Sequence, residues 1–163
     1  MPATTLFSGP AMTVVDYRCS AGPGDRPYVE SHGGYSVAYV RKGSFGCIAR
    51  GEAHELVAGA LMLGYPGDEY MCTHEHHACG DECLSFQFSP ALADELGGSP
   101  AAWRKGAIPP LAETMVLGEL AQSAAEGRSN VGLDEAGLRL ASRFLGVVGG
   151  KPAAAVRTSA TDR

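Results

Sequence analysis

Between Cys72 and Cys83 the chain places three of its five cysteines and three of its five histidines within twelve residues. Thiolate sulfur and imidazole nitrogen are the ligands that Zn²⁺ prefers, and a cluster this dense points to a metal site. In an extended segment, side chains two residues apart share a face, so Cys72, His74 and His76 would project together. Cys83 closes the stretch, and a loop folding back between Cys72 and Cys83 would let adjacent strands offer both sulfurs to one ion at about 2.3 Å. A packed cluster of thiols and hydrogen bonds is the alternative at this point. Cys47, in Phe45-Gly46-Cys47-Ile48, reads as a buried core thiol. His77 and Cys79 read as loop residues, and His54 as a solvated histidine.

The segments that must position these residues read first as β-sheet. Short apolar runs cover Ala11–Tyr17, Tyr35–Arg41, Ser44–Arg50, Glu52–Val57, Gly59–Leu63 and Cys83–Phe88, with a loop at 20–25 and a hairpin signal at Lys42-Gly43. Several strands of this length joined by tight turns predict a sandwich or barrel. In the last of them Leu84, Phe86 and Phe88 share one face, while Cys83, Ser85 and Gln87 share the other, where a polar cluster or a lumen would lie.

The last third is helical in pattern. Ser89-Pro90 followed by Gly97 predicts a short capped helix. Pro109-Pro110 opens a second helix running to about Glu126, and an amphipathic stripe of Leu133, Ala136, Leu140, Ala141, Phe144 and Val148 predicts a third over 133–148. These helices either cover the β-region or pair with those of a second copy, and the two roles are compatible. The stretch 149–163 lacks periodicity and reads as a linker or tail.

At 163 residues and 45% hydrophobic the chain suits one globular domain. A formal charge of −5 with 13 scattered basic residues argues against direct nucleic-acid binding. No signal-peptide pattern and no long apolar run occurs, so the expectation is a cytoplasmic protein without a membrane segment. An odd number of cysteines shifts the reading from disulfides to metal ligands, buried thiols or redox chemistry.

Gly59-Ala60-Leu61-Met62-Leu63-Gly64-Tyr65-Pro66-Gly67 looks like the strand-turn element of cupins. With Val15-Asp16-x-x-Cys19, Gly22-Pro23-x-Asp25, Glu30-x-His32, Gly43-x-Phe45, Cys72-x-His74-Glu75-His76, Gly80-Asp81-x-Cys83-Leu84 and Phe86-x-Phe88-x-Pro90, the chain resembles the N-terminal cupin-like domain of AraC-type transcription regulators over roughly residues 7–148. The resemblance implies a mainly β, jelly-roll barrel at 7–97, a helical dimerisation and linker region at 98–148, and a flexible tail at 149–163. It further implies a small-molecule or metal effector, a homodimer through the C-terminal helices, and DNA contact only through a further domain that this stretch lacks. Cys19 enters the cluster through the resemblance, and with Cys72, Cys83 and either His74 or His76 it would make a closed, structural or sensory zinc site. Polar side chains suited to an effector pocket are Tyr35, Tyr39, Arg50 and Gln87, with Glu30 and His32 as an orienting pair or an ordinary surface pair. Cupin enzymes usually carry a histidine where Tyr70 stands. His74, His76 and Asp81 nevertheless keep open a 2-His-1-carboxylate iron enzyme of dioxygenase type, and the clustered thiols keep open a redox sensor.

Overall fold

A computed structural model describes residues 2–78 and 80–149. The chain begins with nine strands: β1 (Ala3–Ser8), β2 (Met12–Cys19), β3 (Val29–Ser31), β4 (Tyr35–Lys42), β5 (Ser44–Ala49), β6 (Glu52–Val57), β7 (Leu61–Gly64), β8 (Glu69–Thr73) and β9 (Asp81–Phe88). A tenth, β10 (Ala107–Ile108), comes after the helices α1 (Pro90–Leu96) and α2 (Pro100–Trp103), and before α3 (Ala112–Ala125) and α4 (Leu133–Val148). The strands form a six-stranded sheet ordered β1-β2-β9-β4-β7-β10 and a four-stranded sheet ordered β3-β8-β5-β6. Every pairing is antiparallel. The quartets β2-β9-β4-β7 and β3-β8-β5-β6 are the two faces of a jelly roll, so the fold is a cupin-like β-sandwich with C-terminal helices.

Most strands lie where apolar alternation places them. Three departures share one cause, the lack of an apolar run. β1 is an exposed edge, β3 has only three residues, and β8 reads Glu-Tyr-Met-Cys-Thr. The hairpin between β5 and β6 turns through Arg50 (φ 50°) and Gly51 (φ 78°), a pair of left-handed residues that matches the twist of the flanking strands. Helix α1 is capped as predicted, with the Ser89 hydroxyl accepting from the Leu92 amide at 3.1 Å and Gly97 in the left-handed conformation. Helix α3 starts at Ala112 rather than Pro109, because Ala107–Ile108 is taken into the sheet beside β7 and the two prolines that follow cannot donate.

The larger core lies between the six-stranded sheet and the helices, not between the sheets. Val14, Tyr39, Leu84 and Phe86 of the sheet meet Trp103, Leu140 and Phe144 from the helical side. Each such side chain contributes about 1.5–3 kcal/mol by leaving water. The helices thus cover the β-region with a shared core. Helix α3 approaches β4 closely, and a Cβ on Gly118 would fall 2.3 Å from the Tyr39 ring. A smaller cluster around Val40, Phe45, Cys47 and Leu56 lies between the sheets. Alanine at a helix-interior glycine ordinarily stabilises by about 1 kcal/mol. Here Gly118→Ala is expected to lower stability by about 1–3 kcal/mol through overpacking against Tyr39. Urea unfolding checks this through a lower midpoint at unchanged slope.

Candidate metal centre

Strands β2 and β9 run side by side from Met12 opposite Phe88 to Cys19 opposite Asp81. On β9, Asp81, Cys83, Ser85 and Gln87 face the space between the sheets, and Leu84 and Phe86 face the helices. This space is a cavity of about 620 Å³ that extends from Met12 and Phe88 to Cys19 and Asp81. Its opposite wall carries Glu30, His32, Phe45, Tyr70, Cys72 and His74.

At the Cys19 end three side chains converge. Cys19 closes β2, Asp81 opens β9 as its cross-strand partner, and His74 follows the last residue of β8 on the other sheet. The loop bearing His74 is pinned by His77. Its Nδ1 is hydrogen-bonded to the Ser44 hydroxyl at 2.8 Å, and its Nε2 lies 2.9 Å from the Glu55 carboxylate. The Cys19 sulfur, a His74 ring nitrogen and an Asp81 oxygen all lie within 4.8 Å of one another. His74 Nε2 is 3.8 Å from Cys19 Sγ and 3.3 Å from Asp81 Oδ2. Yet Oδ2 is buried and accepts no hydrogen bond.

These distances fit three ligands around one point. A tetrahedral zinc separates its sulfur and nitrogen ligands by about 3.6 Å, and its nitrogen and oxygen ligands by about 3.4 Å. Burial raises the Cys19 thiol above its ordinary range, and Asp81 adds to that despite the opposing Ala21 amide. Burial likewise raises the Asp81 carboxyl, against the pull of His74. A dication between them would supply the countercharge that both groups lack. All three line the cavity.

The arrangement corrects the closed clasp expected from the sequence. Cys72 and Cys83 line the same cavity, but neither joins a three-ligand group among the described residues. Cys72 sits opposite Cys47 across β8 and β5, and the interaction between the two neighbouring thiols raises Cys72 and lowers Cys47. Cys83 is two residues along β9 from Asp81, a step of about 6.6 Å, and burial pushes its thiol up to about 12. His76 is exposed in a turn, because β8 ends at Thr73 and the alternation does not extend that far. The set of His74, His76 and Asp81 therefore does not form.

Two residues expected in the effector pocket lie elsewhere. Tyr39 points into the helical core, where its hydroxyl donates to Glu119 at 2.6 Å. Arg50 stands at the β5–β6 turn, half exposed and 3.6 Å from Asp68. Tyr35, Gln87, Glu30 and His32 do line the cavity. His32 stacks on Tyr70 at 4.2 Å between ring centroids, instead of pairing with Glu30. Cys79 and the tail at 150–163 lie outside the described residues. Among the described residues no helix is long and apolar enough to cross a membrane.

No protein-family model and none of the curated proteins matches the chain. Solved structures similar to it include the cupin domain of Schizosaccharomyces pombe Cnp3, at 10% identity and TM-score 0.47 over 57% of this chain and 63% of that one. A cupin superfamily protein of Desulfitobacterium hafniense is 9% identical over 53% of this chain and 75% of its own, at TM-score 0.44. The DMSP lyase DddQ of Ruegeria pomeroyi is 12% identical over 55% of this chain and 47% of its own, at TM-score 0.47. The chain thus spans less than two-thirds of two of these relatives.

Elemental analysis of zinc-loaded protein tests the centre. Cys19→Ser and Asp81→Asn are expected to lose stoichiometric metal, while Cys72→Ser and Cys83→Ser keep it. The reverse pattern would restore the Cys72–Cys83 clasp.

Proposed function

We propose that the chain is an effector-sensing domain of the kind found in AraC-type regulators, with a divalent ion, best matched to zinc, held by Cys19, His74 and Asp81. One observation carries the reading. The wall of the cavity is also the floor of the helical layer, because alternate residues of β9 face the two sides. A ligand that displaces Ser85 or Gln87 acts on the strand that supports Phe86, and through it on α4. Coupling then requires only that the ligand bind one helix arrangement better than another. A bound dication would supply a Lewis-acidic anchor at one end of the cavity, and Cys19, His74 and Asp81 would fix its place.

The signal would leave through a dimer of the C-terminal helices. Val116, 69% exposed, gives α3 an apolar residue directed away from the core. In this reading Val116→Asp yields a monomer in sedimentation velocity while leaving metal content unchanged. A variant that stays dimeric, or a native chain that is monomeric at all concentrations, would remove the dimerisation part of the proposal. DNA contact, in the same reading, belongs to a further domain.

A second reading, a metal-dependent cupin enzyme, is favoured by the count of three candidate ligands beside the cavity, since catalytic zinc sites use three protein ligands. Hydrolysis of an activated ester separates the two. Zinc-dependent turnover lost in Cys19→Ser supports the enzyme, and metal binding without turnover supports the sensor.

A further inference from the structure

We infer that the occupant of the lumen carries a positive charge, in the form of an amine or related cation, and that Glu30 is the group that holds it. The inference rests on the lumen being a ligand site and extends that reading to the class of ligand. Glu30 is the middle residue of β3, between exposed Val29 and Ser31, so the alternation of the strand turns its side chain inward beside its cross-strand partner Tyr70. It lines the cavity, and burial raises its carboxyl above the usual carboxylate range. Among the described residues the carboxylate has no ion-pair partner.

The rest of the wall does not balance that charge. Among the described residues no lysine or arginine lines the cavity, and burial lowers the basicity of the His32 imidazole, which favours its neutral form near neutral pH. A dication at the metal centre would be offset by the Cys19 thiolate and the Asp81 carboxylate, leaving Glu30 uncompensated. A phosphate or carboxylate ligand meets repulsion from Glu30 in a partly desolvated space, and a cation meets attraction. Tyr17, Phe45 and Tyr70 add aromatic faces, which attract cations through the ring quadrupole. A volume of about 620 Å³ suits a small organic molecule.

Isothermal titration of the zinc-loaded chain with three probes of one shape tests this: phenethylamine, 2-phenylethanol and phenylacetate, near neutral pH. The amine is expected to bind about tenfold or more tightly than the alcohol, with phenylacetate weakest. Glu30→Gln is expected to bring the amine down to the level of the alcohol and leave the alcohol unchanged. The same order is expected in zinc-free chain, where coordination of the amine by metal plays no part. An amine preference that survives Glu30→Gln, or phenylacetate binding as tightly as the amine, overturns the assignment. Equal binding of all three probes leaves the lumen a ligand site and removes its charge preference. Ser85→Phe, which fills the cavity, is expected to abolish binding of every probe. Amine binding that persists there, or no binding to the native chain, overturns the lumen as the ligand site.

Discussion

The pairing of β9 between β2 and β4 is the constraint on which the rest of the molecule depends. A strand has two faces, and β9 uses both. Leu84 and Phe86 are fully buried under the helices, while Cys83, Ser85 and Gln87 form part of the wall of the cavity. A shift of the register by one residue would turn the aromatic side chains into the lumen and the thiol and hydroxyl into the helical core. The apolar burial on one side therefore holds the polar face in place on the other.

That division explains why the sandwich is not packed solid. In many two-sheet proteins the core lies between the sheets. Here the helical layer buries most of the apolar surface, with Trp103, Leu140 and Phe144 seated on the six-stranded sheet. The space between the sheets can then stay open without loss of the main source of stability. The Tyr39–Glu119 hydrogen bond and the close approach at Gly118 tie α3 to the same sheet, so the layer that stabilises the fold packs directly on the back of the cavity wall.

The candidate metal centre follows from strand ends. Cys19 and Asp81 meet because they are the last pair of a ladder, and His74 joins them because β8 stops one residue earlier. Freed from the strand, the chain turns at Glu75–His76 and is held down by His77 between Ser44 and Glu55. The residue that completes the trio is a carboxylate, which leaves the cluster less thiolate-rich than a site of three cysteines.

Six of the ten strands and three of the four helices among the described residues were legible in the residues themselves. Alternation in Leu84–Phe88, the Ser89-Pro90 and Gly97 caps, and the stripe from Leu133 to Val148 are local patterns, and local patterns set local structure. The density of cysteine and histidine after Cys72 pointed to the end of the cavity where Cys19, His74 and Asp81 lie together. What residue spacing did not determine was the partnership. Cys19 and His74 are 55 residues apart, and only the crossing of the two sheets brings them within 3.8 Å. The assumption that alternation continued through His76 failed at the end of a strand whose composition carries no apolar signal. Tyr39 and Arg50 were misplaced for a similar reason, since a polar residue on or beside a strand does not reveal which face a second layer will cover. Side-chain periodicity is a property of a few neighbouring residues, whereas the meeting of Cys19, His74 and Asp81 depends on which strands are adjacent and where each one stops.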